Sequence, residues 1–161
     1  MADRPLFVKM ALDSWKSYLD RTDELFKKFT DEEMMREIAP GRNRNIYLLG
    51  HLTAVHDRMI PLFGLGERLH PELDKPFLTE ADKSVTEIPS VKDLRNYWSE
   101  VNQRVNAAFE KVTPDEWFEK HASVSAEDFS KEPHRNKLNV LINRTNHLAY
   151  HYGQVKLAEQ K

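Results

Sequence analysis

Apolar residues recur at steps of three and four along four separate stretches of the chain, the period of a helix that buries one face. Phe7, Ala11, Trp15, Tyr18, Thr22, Leu25 and Phe29 predict a first helix over about residues 5–29. Leu48, Leu52, Val55, Met59 and Leu62 predict a second, preceded by Pro40-Gly41 and by Asn43 as its cap, and ending near Phe63 before Gly64 and Gly66. Val91, Leu94, Trp98, Val101, Val105, Ala108 and Val112 give the clearest of the four, with Ser90 and Asp93 resembling a capping box at its start. Leu141, Thr145, Leu148, Tyr152 and Val155 mark the last, which begins after Pro133 and runs nearly to the C-terminus. No stretch alternates in the manner of a strand.

Four amphipathic helices of about 20 residues, each about 30 Å long, bury their stripes by packing on one another as a bundle. The expected fold class is therefore all-α, a four-helix bundle forming a single domain over residues 1–161. Residues 64–89 carry Gly64, Gly66, Pro71, Pro76 and Pro89 and are long enough to cross the length of the bundle. With that crossover, helices two and three need not be antiparallel neighbours, and the expected order is up-up-down-down. Residues 113–136 form a second long connection, with a short helical turn at Thr113-Pro114-Asp115-Glu116-Trp117-Phe118, where Pro suits a first helical position.

Composition narrows the function classes. At 161 residues and 18.9 kDa, with 40% hydrophobic residues, the chain has enough apolar mass for one core. A formal charge of −2, from 24 basic and 26 acidic residues without a basic cluster, leaves no electrostatic footprint for nucleic acid. No apolar run approaches the roughly 18 residues of a membrane span, and the opening Met1-Ala2-Asp3-Arg4-Pro5 is not a charged-then-apolar leader, so a soluble cytoplasmic protein is expected. The chain has no cysteine, which removes disulfides, thiolate nucleophiles and cysteine-ligated zinc.

Histidine carries the candidate chemistry. His147 and His151 stand four residues apart on the fourth predicted helix, so both imidazoles rise from one face at a spacing suited to a single metal ion. A third ligand must come from elsewhere, and the second stripe offers two: His51 beside Leu48 and Val55, and His56 beside Leu49, Leu52 and Ile60. Periodicity does not separate them. Paired histidines at this spacing also occur as ordinary boundary residues. His70, His121 and His134 fall in connections, where surface or turn roles are expected.

Two metalloenzyme signatures are absent. The pair reads His-Leu-Ala-Tyr-His, without the general-base glutamate of the His-Glu-x-x-His proteases. The one Glu-x-x-His match, Glu67 to His70, lies in a connection rather than on a bundle helix, so a carboxylate-bridged di-iron site is not indicated. Trp15, Trp98 and most of the eight phenylalanines lie on or beside the apolar stripes and are read as core. Asn143, one turn before His147, either orients a ligand or is a polar boundary residue. Tyr150 and Tyr152 are candidate hydroxyl donors to a pocket, with Tyr152 better placed for packing.

Asn45-Ile46-Tyr47-Leu48-Leu49-Gly50-His51-Leu52 and His147-x-x-x-His151-x-Gly153-Gln154 resemble the two signatures of the DinB-like superfamily, and the resemblance extends over nearly the whole chain. It implies a four-helix bundle with the long crossover, frequently a homodimer, and a divalent metal bound by three histidines. Carried over by motif, those ligands are His51, His147 and His151, while His56 matches no ligand position. Zinc, nickel, iron and manganese all suit imidazole and water. Some relatives are thiol-dependent S-transferases or isomerases that use bacillithiol, mycothiol or glutathione. The resemblance therefore implies a metal-dependent thiol S-transferase acting on small electrophiles, with a low-molecular-weight thiol as cofactor, a small-molecule substrate, and catalytic residues unassigned. Two alternatives stand beside it: a metal-dependent hydrolase of a small substrate, and a non-catalytic metal-binding or stress-associated interaction module.

Overall fold

A computed structural model describes residues 3–159. Seven helices are present among them: α1 (Arg4–Lys28), α2 (Asp31–Met34), α3 (Asn45–Asp57), α4 (Met59–Leu62), α5 (Val91–Phe109), α6 (Ala126–Lys131) and α7 (Lys137–Leu157). The described residues form no strand, only two isolated bridges, Glu37 with Arg44 and Lys120 with Asn136. No described helix is long and apolar enough to cross a membrane.

Local chemistry sets the helix ends. The Asp3 carboxylate accepts from the Leu6 amide at the start of α1, and Lys27 and Lys28 lie against the carbonyl end, where positive charge is favoured. Thr30 and Glu33 close a full capping box on α2. Ser90 accepts from the Asp93 amide at the start of α5, as the sequence predicted. The expected Asn43 cap is not formed. Arg44 occupies that position, and its side chain, which has no acceptor to offer, pairs with Asp82 instead of capping the helix, while the Asn45 side-chain amide donates to the Glu33 carbonyl and ties α3 to α2. The second predicted helix is also interrupted: α3 ends at Asp57 and α4 resumes at Met59.

α3 is the central element. Eleven of its residues, including Asn45, His56 and Asp57, are buried, leaving Tyr47 and His51 as the partly exposed ones. A helix surrounded in this way shows little one-sided patterning. The crossover covers one of its flanks along the whole length. The buried Asp57 carboxylate accepts from the Leu69 and His70 amides and pairs with Arg68, the Phe77 ring seats on Gly50, Tyr47 donates to the Glu80 carbonyl, and Arg44 makes a bidentate pair with Asp82. Residues 68–82 thus run antiparallel to α3 and return the chain to the end where α3 began.

These contacts fix a helix order different from the expected up-up-down-down. His56 lies against Trp15 while Asn45 is tied to α2 just beyond the end of α1, so α3 runs against α1. Arg95, near the start of α5, donates to the Phe26 and Phe29 carbonyls, and Asn106, near its end, accepts from Trp15, so α5 also runs against α1. The Lys28–Glu159 pair and the Tyr18–Tyr152 edge contact make α7 parallel to α1. The order is up-down-down-up. All three connections differ from that expectation: the crossover links α3 and α5 as a parallel pair, whereas the turn through α2 and the connection from α5 to α7 each reverse direction.

Candidate metal centre

α3 and α7 meet where His51 faces His147 and His151. The His147 Nε2 lies 3.1 Å from the Nε2 of His51 and 3.1 Å from that of His151. One ligand atom from each ring falls within 4.8 Å of the others. Ligand atoms about 2.0–2.1 Å from a tetrahedrally held ion stand about 3.3 Å apart, so the two shorter separations fit a common ion.

Tautomers favour the same reading. The His51 Nδ1 is 2.9 Å from the Phe77 carbonyl, which only accepts, so Nδ1 carries the proton and Nε2 presents its lone pair. The His151 Nδ1 donates to the Gln154 Oε1 at 2.7 Å, leaving its Nε2 lone pair turned the same way. Two of the three rings are therefore oriented by partners on their far side, the arrangement that metal-bound histidines use. The His147 Nδ1 is buried without a hydrogen-bond partner among the described residues, so that ring has no orienting bond on its far side.

The rings are also electrostatically prepared. Burial, then the neighbouring imidazoles, pushes His147 down to about 3. Burial, then His51, pushes His151 down to about 4, against the opposing bond to Gln154. Burial lowers His51 as well, opposed by the bond to Phe77. All three are neutral at physiological pH, so no imidazolium charge opposes a cation, and His51 and His151 present free Nε2 lone pairs.

Backbone geometry at Gly50 explains how Phe77 reaches His51. A Cβ at residue 50 would lie 2.5–2.6 Å from three atoms of the Phe77 ring. The absent side chain lets the π-helical turn Lys75–Thr79 close on α3, so that the ring is buried and its carbonyl meets the next residue. Tyr47 stacks nearly parallel to His51, at 13° and 6.3 Å, on the same flank.

His56, the competing candidate, takes no part. It is fully buried, with its ring 4.8 Å from that of Trp15 and 5.1 Å from that of Trp98, and its Nδ1 donates to the Asn102 Oδ1 at 2.7 Å. His70 stacks on Tyr97 and lies between Glu72 and Glu100, and neither His121 nor His134 joins the group. Asn143 is exposed and reaches only Asn139, which makes it a boundary residue. Tyr150 is 63% exposed, and Tyr152 packs on Tyr18. A cavity of about 460 Å³ lined by Phe63, Leu65, Arg104 and Lys111 contains none of these histidines.

Three participants escaped the sequence reading. Phe77 acts through its carbonyl, which no side-chain pattern reveals. Gly50 stood in the quoted motif, but its neighbour across the crossover could not be read there. Gln154 also stood in the quoted motif, three residues after His151 and one helical turn away, and that spacing was a readable signal of its bond to the ring.

A family model described as the DinB superfamily matches residues 15–155. No curated protein matches the chain.

Proposed function

From its membership of the DinB superfamily, we propose that this chain is a metal-dependent enzyme built on the family's four-helix bundle, with His51, His147 and His151 as ligands of one divalent transition-metal ion. The observation that carries the proposal is the convergence of three Nε2 atoms from rings whose Nδ1 protons on His51 and His151 are already committed elsewhere. Phe77 and Gln154 set the ring orientations, and burial keeps the rings neutral. No carboxylate belongs to the ligand group among the described residues, so three protein ligands leave room for an exogenous one, as catalytic sites require.

The reaction proposed is thiol S-transfer to a small electrophile. A bound divalent ion supplies Lewis acidity that favours thiolate over thiol near neutral pH. The chain has no cysteine, so the nucleophilic sulfur comes from a low-molecular-weight thiol. The test is conjugation of 1-chloro-2,4-dinitrobenzene and of an epoxide with glutathione, bacillithiol and mycothiol by protein loaded with zinc, nickel, manganese or iron. Turnover that disappears in His151→Ala supports the reading. A metal-loaded protein inert with every thiol overturns the transferase reading.

A further inference from the structure

Five arginines are partly buried among the described residues: Arg44, Arg68, Arg95, Arg135 and Arg144. The first four each meet oxygen. Arg44 pairs with Asp82, Arg68 with Asp57 and Asp74, Arg95 with Asp31 and two carbonyls, and Arg135 with Glu132. Arg144 is the exception. It lies on α7 one turn before His147, and among the described residues its guanidinium meets no acceptor at all, with Nε buried; the Arg95 Nε is also buried unpaired, but its terminal nitrogens are engaged.

The surroundings make an unpaired Arg144 unfavourable to the chain by itself. Burial, then the positive charge of Arg58, acts against the Arg144 cation, and no carboxylate among the described residues offsets them. Arg58 is itself engaged with Asp74. On α7 Arg144 shares the helix face that carries His147 and His151, three and seven residues further on. A dication among neutral imidazoles beside this guanidinium would leave the site strongly positive. A partly desolvated guanidinium without a partner is costly, and its planar fork is the donor set that matches carboxylate or phosphate.

We propose that Arg144 is the anion-recognising residue of this site, and that the small molecule the site takes carries a carboxylate or phosphate group. The inference rests on the three-histidine reading for its location, and it adds a substrate class: a compound with one anionic oxygen group held by α7 one turn from the reacting centre. Arg144 thereby selects among small molecules, and the histidines select the chemistry.

The test follows the guanidinium itself. The Arg144 Nε–H resonance, assigned by its loss in Arg144→Lys, is monitored in the full chain with and without one equivalent of zinc. The probes are propionate, inorganic phosphate, 3-mercaptopropionate and the neutral 2-mercaptoethanol. The expected result is a saturating shift with 3-mercaptopropionate and with propionate or phosphate, the responding anion identifying the group, and none with 2-mercaptoethanol. By calorimetry, zinc-loaded protein should bind 3-mercaptopropionate at least tenfold more tightly than 2-mercaptoethanol, and Arg144→Met should abolish that preference. If Arg144→Met does not fold, Arg144→Lys, which keeps charge but loses the fork, should reduce it severalfold. An Arg144 resonance unmoved by every anion overturns the inference, whatever the metal does. An Arg144 shift in protein that takes up no metal sinks the metalloenzyme reading and leaves Arg144 as an anion site.

Discussion

His51 and His56 lie five residues apart on one helix, and the fold gives them opposite fates. His51 opens toward α7, where two more imidazoles wait, and its far nitrogen is fixed by a backbone carbonyl. His56 turns toward α1 and α5, between Trp15 and Trp98, with an amide as its polar partner. Both are neutral at pH 7, and burial is the main cause in both. Neutrality therefore does not make a ligand. What separates the two is the company at Nε2: imidazole nitrogen for His51, and no hydrogen-bond partner among the described residues for His56.

The largest break in that contrast comes from removing the shared centre of the trio. His147→Ala should weaken zinc binding by at least about a hundredfold, since the remaining two imidazoles form an incomplete set, whereas His56→Ala should leave it unchanged. Competition with a chromophoric chelator measures both. His56→Ala should instead cost about 2–4 kcal/mol of folding stability, from the cavity between two indoles and the stranded Asn102 Oδ1, read by urea denaturation of metal-free protein.

Acid sharpens the comparison. Burial holds His56 down to about 4 from 6.5, with the bond to Asn102 opposing. The unfolded chain takes a proton that the folded one refuses, so this contribution is fully present above about pH 6.5 and is lost as pH falls toward 4. At about 1.4 kcal/mol per unit, metal-free wild type should lose about 2 kcal/mol more than His56→Gln between pH 7 and 5. Equal losses would show that His56 is not held neutral.

These contrasts were only partly legible in the sequence. The stripes of α1, α5 and α7 each have a solvent side, so their periodicity located them well. α3 has almost none, and a pattern built on one buried face cannot tell His51 from His56 when both directions lead into protein. The family motif, not the spacing, chose between them. Helix order failed at every connection: the short α2 segment and the segment from α5 to α7 each reverse the chain, the crossover does not, and nothing in their composition distinguishes a reversal from a return along the bundle. The crossover was read as a span, but its role in holding His51 through the Phe77 carbonyl depends on a contact with Gly50 across 27 residues of chain.

Two glycines give the smaller effects. Gly50→Ala puts a methyl group into the Phe77 ring, and the displaced carbonyl should reduce metal affinity by about 10–100-fold while His51 itself is intact. Gly153 lies in the interior of α7 with nothing within 4 Å of a built Cβ. Gly153→Ala should therefore raise stability by about 0.5–1 kcal/mol, measured by thermal unfolding, and leave metal binding unaltered.

The central claim is tested most directly by metal content and X-ray absorption on wild-type protein purified without a histidine tag, with His147→Ala beside it. The account predicts about one divalent ion per wild-type chain, with three imidazole nitrogens at about 2.0–2.1 Å and at least one exogenous ligand, and little metal in the variant. A wild type that neither carries an ion nor takes one up, or a variant that binds it equally well, would contradict it.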